Sequence, residues 1–262
     1  LGQSLTADHV LRFQDLLPHA SYELATYALA ELFTRKDEAE IAELRKAGQA
    51  IDAVHAQVPK LLQPGRTEAE VARELEELIL QEHTVIDFVI VGSGPNGANP
   101  HHSFSDRVLA EGEPVVVDIG GTLPSGYHSD CTRTYVVGGD VSKAPQDFQD
   151  AYAVLADTQA AARAAAHPGS IAAEIDAITR KAIAAAGWGD NFVHRTGHGI
   201  GLSTHEEPFI MEGNDLTLEE GMAFSIEPGI YVEGKWGMRL EDIVVLTNNG
   251  YESLNLAPRE VR

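Results

Sequence analysis

Apolar residues fall at Ile41, Leu44, Ala47, Ile51 and Val54 within DEAEIAELRKAGQAIDAVHAQV, and polar residues fill the gaps. That spacing predicts an amphipathic helix running from about Lys36 and ending near Pro59. Pro64-Gly65 then turns the chain, and Thr67 with Glu70 three residues later forms a capping signature for a second helix reaching about Glu82. After these helices the pattern becomes β-branched and bounded by turn residues. Val85 to Val91 and Pro114 to Ile119 read as strands, and Tyr127 to Val137 reads as a hairpin return. Upstream, Ser21 to Phe33 is a mixed helical stretch with no partner in the sequence, and the chain begins with Leu1. Residues 1–34 are therefore expected to be the tail of a missing N-terminal domain with its linker, and residues 35–262 a single domain.

The second half of the chain repeats the order of the first. Pro64-Gly65 with Glu70-Val71 matches Pro168-Gly169 with Glu174-Ile175 at an offset of 104 residues. Glu111-Gly112 followed by Asp118 and Gly120 matches Glu220-Gly221 followed by Glu227 and Gly229 at an offset of 109. Each half then offers a second carboxylate on the returning strand, Asp130 and Glu241. Two helix-helix-strand units whose hairpins pair across a pseudo-twofold axis bring all four carboxylates to the centre of one curved sheet. The expected fold class is α+β.

Four acids buried together repel unless cations lie among them. His198, in the Gly- and His-rich segment HRTGHGIGLSTHEEP, supplies a fifth ligand, so two divalent ions sharing Asp118, Asp130, His198, Glu227 and Glu241 are expected. A pair of ions ~3.5–4 Å apart turns a bridging water into hydroxide near neutral pH and polarises a carbonyl. Oxygen-rich donors with one nitrogen and no sulfur suit manganese, with cobalt, iron(II) or zinc as alternatives. Taken singly, a buried Asp or His is more often a hydrogen-bonded structural residue. Five in this arrangement are not explained that way.

Composition narrows the partners. Forty acidic against nineteen basic residues give a net charge of -21, without a basic cluster, which disfavours nucleic acids and anionic membranes. Neither a ~20-residue apolar run nor a secretory leader pattern is present. The single cysteine, Cys131, asks for no oxidising compartment, so the cytoplasm is the expected setting. The glycines of GHGIG lack the residues of a nucleotide-binding loop.

The segments VVVDIGGTLPSGYHSDCTRTY, HRTGHGIGLSTHEEP, AFSIEPGIY and GMRLEDIVVLT resemble the pita-bread metallopeptidases, which include proline dipeptidase, aminopeptidase P and methionine aminopeptidase. The resemblance covers about Arg35 to Leu254 and is greatest to the proline-specific branch. It implies a pita-bread fold with duplicated halves around a curved antiparallel sheet. It implies metal ligands in the order Asp118, Asp130, His198, Glu227, Glu241, with Asp130 and Glu241 bridging and Glu227 also taking the proton of the nucleophilic water. His101 and His205 are expected to stabilise substrate and intermediate, and His194 to line the proline pocket. Arg239 and, more weakly, Tyr231 are expected to orient substrate and ligands.

The implied reaction is hydrolysis of Xaa-Pro dipeptides, with aminopeptidase P action on longer peptides as the alternative, by a protein that is homodimeric at full length. The Asp118–Asp130 spacing is one residue longer than is usual in prolidases, which places an extra residue in the TLPSG turn. A non-catalytic binding module of the same fold, or a metal-free creatinase-like hydrolase, would be expected to lack some of the five ligands.

Overall fold

The computed structural model describes residues 1–262 other than 3 and 4. Three short helices come first: α1 (Ala7–Leu16), α2 (Ala25–Ala28) and α3 (Ala30–Thr34). Neither α1 nor α3 buries a side chain, and Leu11, Leu16 and Leu32 are exposed. The helical stretch expected from Ser21 to Phe33 corresponds to α2 and α3, whereas α1 was not anticipated. Lys36 ties the end of this segment to the second half of the chain, its backbone N–H donating to the Gly221 carbonyl at 2.8 Å and its ammonium pairing with Glu206.

Helix α4 (Glu38–His55) opens with a capping box. The Asp37 carboxylate accepts from Ala39 and Glu40 backbone N–H groups, and the Glu40 side chain returns to the N–H of Asp37. Its buried face is the predicted one, Ile41, Leu44, Ala47, Ile51 and Val54. A short turn of helix, α5 (Val58–Leu61), leads to α6 (Glu68–Ile79), capped reciprocally by Thr67 and Glu70. These helices pack on β1 (Val85–Ser93), β2 (Pro114–Thr122) and β3 (Cys131–Val136), an antiparallel sheet in the order β1-β2-β3. Strand alternation divides β2 between two tasks. Val115, Val117 and Ile119 join the helix-covered core with Ile51, Val71 and Leu75, leaving Asp118 to face the other way.

The second half follows the same plan with α7 (Gln146–Ala165) and α8 (Ala172–Ala185), then β4 (Gly197–Gly199), β5 (Glu206–Ile210), β6 (Ala223–Ile226), β7 (Gly229–Val232), β8 (Trp236–Arg239), β9 (Asp242–Thr247) and β10 (Gly250–Ser253). The duplication is visible in the backbone. Gly65 and Gly169 both adopt φ near +90° (89° and 96°), a conformation that favours glycine, and their N–H groups donate to the Leu109 and Leu218 carbonyls. Single bridges Thr67–Val108 and Ile171–Thr217 repeat the match.

Two details differ from the sequence expectation. The regular strand expected over Tyr127 to Val137 begins only at Cys131. Residues 127–130 form an irregular return, tied by Tyr127 to Leu123 and by Ser129 to Gly121. Likewise, the strands hydrogen-bond in three groups, β1-β2-β3, β10-β9-β6-β4-β5 and β7-β8, rather than as one continuous ladder. One backbone bond and a threonine side chain tie the seam between the halves. Glu241 N–H donates to the Thr132 carbonyl at 3.2 Å, while Thr134 Oγ1 accepts from Arg239 N–H and donates to the Arg239 carbonyl. A threonine hydroxyl thus takes the place of backbone pairing beside the site.

Candidate active site

The duplicated halves deliver their acids to one place. Asp118 lies within β2, Asp130 immediately precedes β3, Glu227 follows β6 and Glu241 immediately precedes β9. His198 is the middle residue of β4. Ligating atoms of Asp130, His198 and Glu241 all lie within 4.8 Å of one another. His198 Nε2 is 3.6 Å from Asp130 Oδ2 and 3.2 Å from Glu227 Oε1. Arg239 joins Asp118 to this group: its Nη2 donates to Asp118 Oδ2, and its Nε lies 3.8 Å from Glu227 Oε2.

Burial makes this arrangement electrostatically unfavourable on its own. Asp118, Asp130, His198 and Glu241 are buried and Glu227 nearly so. Desolvation first, then the neighbouring carboxylates, push Asp130 and Glu241 well above the usual carboxylate range, and Asp118 is raised for the same reasons. Glu227 goes the other way. Burial raises it, but hydrogen bonding and positive charge from His198, with His194 and Arg239 behind, bring it below the ordinary value.

The polar atoms around this point fit a cation. Asp118 Oδ1 and Glu241 Oε1 are buried without any hydrogen-bond partner among the described residues. His198 Nδ1 is 3.1 Å from the Gly199 carbonyl, which can only accept, so the proton belongs on Nδ1. With a cation in place of the Nε2 proton that otherwise bonds Glu227, the Nε2 lone pair becomes a ligand beside the carboxylates of Asp130 and Glu227. Carboxylate oxygens and one imidazole nitrogen, with no thiolate, form a hard donor set for divalent cations.

A surrounding layer holds these groups. Thr132 Oγ1 donates to Glu241 Oε2 at 2.8 Å and accepts from Arg239 Nε at 3.0 Å. Ser225 Oγ donates to Glu227 Oε1 at 2.9 Å and accepts from the His198 backbone N–H. Arg239 Nη1 donates to the Tyr231 hydroxyl at 2.7 Å, which also contacts His194 Nε2 at 2.9 Å.

A cleft of about 360 Å³ opens beside Glu227 and Arg239, lined further by Pro100, His101, His194, Arg195, His205 and Met211. All three expected cleft histidines are therefore present. The His205 ring is 4.1 Å from that of His198. Burial pushes His194 and His205 down to about 4, with the charges of His198 and Arg195 adding to the effect at His205. Tyr231 lies behind His194 rather than among the cleft residues. Two further histidines near these segments are engaged elsewhere, His102 with Glu68 and His128 with Asp87. Cys131 is buried in the helix-covered core.

Sequence reasoning did not single out Thr132, Ser225, Arg195 or Met211. Arg195 alone had a signal, standing next to His194 in HRTGHG.

A buried cage of four carboxylates and one imidazole beside a histidine-lined cleft defines a metal-dependent hydrolase. The chain belongs to metallopeptidase family M24, whose sequence pattern matches residues 42–248. It is 54% identical over 259 residues to a probable dipeptidase PepE of Mycobacterium tuberculosis, spanning 98% of this chain and 68% of that protein. A Xaa-Pro dipeptidase of Lactobacillus delbrueckii subsp. lactis is 39% identical over 264 residues, 98% of this chain and 70% of that protein. Among solved structures, dipeptidase PepE from Mycobacterium ulcerans superposes with a TM-score of 0.94 at 53% identity, covering 99% of this chain and 69% of that one. The pita-bread fold and a metallopeptidase activity follow from this membership.

Proposed function

We propose that this protein hydrolyses Xaa-Pro dipeptides, with two divalent ions, manganese foremost, held by Asp118, Asp130, His198, Glu227 and Glu241. The observation that carries the reading is the buried cluster of Asp130, His198 and Glu241, whose ligating atoms lie within 4.8 Å of one another, with orphaned carboxylate oxygens on Glu241 and Asp118. Cations bound there would acidify a water molecule and polarise the scissile carbonyl. The chain's own groups do the rest.

Glu227, kept ionised by its basic neighbours, is placed to take a proton at a carboxylate oxygen and pass it toward the departing proline nitrogen. His205 and His101 on the cleft wall offer N–H donors to the carbonyl oxygen as negative charge develops on it. Arg239 fixes Asp118 and Tyr231, and Tyr231 fixes the ring of His194, so that the wall facing the proline ring is rigid before substrate arrives. Asp130 and Glu241, which immediately precede the matched strands β3 and β9, would hold both ions between them.

The same reading includes a cytoplasmic setting, a small-peptide partner and a homodimer. No helix among the described residues is long and apolar enough to cross a membrane, and the exposed leucines of α1 and α3 offer an apolar face to a further domain or subunit. Kinetics on Leu-Pro, Leu-Pro-Ala and Met-Ala-Ser, with and without added manganese after chelation, test the substrate class. Metal-dependent cleavage of Leu-Pro alone is expected. Cleavage of Leu-Pro-Ala before proline would move the activity to aminopeptidase P, and release of methionine from Met-Ala-Ser would contradict proline specificity.

A further inference from the structure

His205 reaches the cleft from an irregular segment, residues 200–205, that joins β4 to β5 and exposes Leu202, Ser203 and His205 itself. Its ring packs 4.1 Å from that of His198 but makes no hydrogen bond among the described residues, unlike His194, which is held by Tyr231. Where the His205 ring points is therefore set by the backbone on either side of it.

The next residue supplies an anchor. Glu206 opens β5 opposite Gly199, and its carboxylate pairs with the Lys36 ammonium, the two side chains being 10% and 3% exposed. Glu206 Oε2 is buried with no hydrogen-bond partner among the described residues. Burial pushes this carboxyl up, and the charge and hydrogen bond of Lys36 chiefly oppose it. The segment is also folded closely over the pair: a methyl group on Gly201 would stand 2.7 Å from Glu206 Oε1 and 2.9 Å from Lys36 Cε. Lys36 is fixed in turn from the far side. Its backbone N–H donates to the Gly221 carbonyl at 2.8 Å, the Gly221 N–H donates to the Leu246 carbonyl on β9 at 2.9 Å, and the ammonium holds the Phe33 carbonyl of α3. One side chain thus runs from the central strands and the end of α3 to a residue whose Cα is about 3.8 Å from that of His205.

Resting on the reading of His205 as a donor to the developing oxyanion, we propose that Lys36 is a positioning residue for the reaction: its buried ion pair with Glu206 locks the start of β5 and so aims the His205 ring into the cleft. Lys36 itself is not part of the cleft wall.

The test compares the wild-type holoenzyme with Lys36→Met, Lys36→Met/Glu206→Gln, His205→Ala and Lys36→Met/His205→Ala. Melting is read with kcat and KM on Leu-Pro and Leu-Ala. The His205 ring resonance is read in zinc-loaded protein isotope-labelled at histidine Cε1, and is assigned by its loss in His205→Ala. Lys36→Met strands a buried carboxylate, so melting should fall; Glu206→Gln removes that charge, so the double variant should melt closer to wild type. The tether is gone in both, so kcat should be about 10- to 100-fold down in both with KM within a few-fold, and the His205 resonance should shift in both. On top of His205→Ala, Lys36→Met should lower kcat by no more than about twofold. An unshifted resonance, a kcat that recovers together with melting in the double variant, or full additivity with a His205→Ala that itself lowers kcat would overturn the assignment. A resonance that shifts while His205→Ala keeps wild-type kcat leaves Lys36 as the residue that sets the ring, and the oxyanion reading of His205 fails instead.

Discussion

Glu68 offers the most informative perturbation outside the metal cage. It stands in the first turn of α6, yet its carboxylate is fully buried. Oε1 accepts from the Ser93 backbone N–H at 2.8 Å, Ser93 Oγ at 2.7 Å and Asn96 Nδ2. Oε2 accepts from the Ser105 N–H at 2.9 Å, Ser105 Oγ at 2.7 Å and Asn96 Nδ2, and meets His102 Nε2 at 2.9 Å. One carboxylate therefore pins both ends of the arch 93–105 that carries Pro100 and His101 into the cleft. Arg239 touches the arch from the other side through the Pro100 carbonyl.

Glu68→Gln keeps the shape but must turn an amide NH₂ toward either the Ser93 or the Ser105 N–H, neither of which can reverse. Hydrogen bonds to a charged acceptor contribute about 1.5–3 kcal/mol each, so losing two costs about 3–6 kcal/mol. At about 2–4 °C per kcal/mol for a domain of this size, melting should fall by about 6–24 °C. Displacing His101 by about 1 Å should lower kcat up to about 100-fold, with metal uptake retained because the ligands stand on other elements. Thermal melting followed by circular dichroism, paired with steady-state kinetics on Leu-Pro, gives both numbers. A Glu68→Gln protein that melts within about 1 °C of wild type with unchanged kcat would refute the reasoning.

Further outcomes are expected elsewhere. Asp130→Asn or Glu241→Gln removes one of several buried like charges, so the chelated protein should melt higher than wild type while the rise on adding manganese disappears; differential scanning fluorimetry reads both. His55 is buried between the Tyr135 hydroxyl and the Cys131 carbonyl, and burial drives it down to about 3. The unfolded chain therefore binds the extra proton between about pH 6.5 and 3, and stability, full above that window, falls with pH inside it. Its share of the loss by pH 4 is about 3 kcal/mol, which urea unfolding should show and His55→Gln should remove. Gly237→Ala would set a methyl carbon 1.8 Å from the Gly97 carbonyl, forcing the arch off β8, so kcat on Leu-Pro should drop at least tenfold.

Much of this architecture was legible because it is local. The caps of α4 and α6 announce themselves within four residues, and the helix faces follow from period alone. The Pro-Gly turns were recognisable as a repeat because both require left-handed glycine. The four acids were legible because they repeat at matched positions of the two halves with no packing rationale, and His198 because it stands in a Gly- and His-rich segment. What stayed hidden depends on contacts between distant segments. Thr132 serves Glu241, and Thr134 serves Arg239, from more than 100 residues away, and no periodicity marks a threonine as a donor to a carboxylate. Glu68 carries no sequence mark that sets it apart from Glu70, the other acid in the first turn of α6. The hairpin β7-β8, inserted between Glu227 and Glu241, was also not separable by pattern: the strands that truly pair are β6 and β9, with Ile226 opposite Asp242.

The central claim is that the buried acids and His198 form one centre for two divalent ions. Anomalous scattering from a crystal equilibrated with manganese addresses it without recourse to activity. Two peaks are expected inside the cage, one toward Asp118 and one toward His198 and Glu227, with Asp130 and Glu241 between them, and both should vanish in Asp130→Asn crystals treated identically. An absence of density in the wild-type cage, or manganese found only at surface carboxylates, would contradict it.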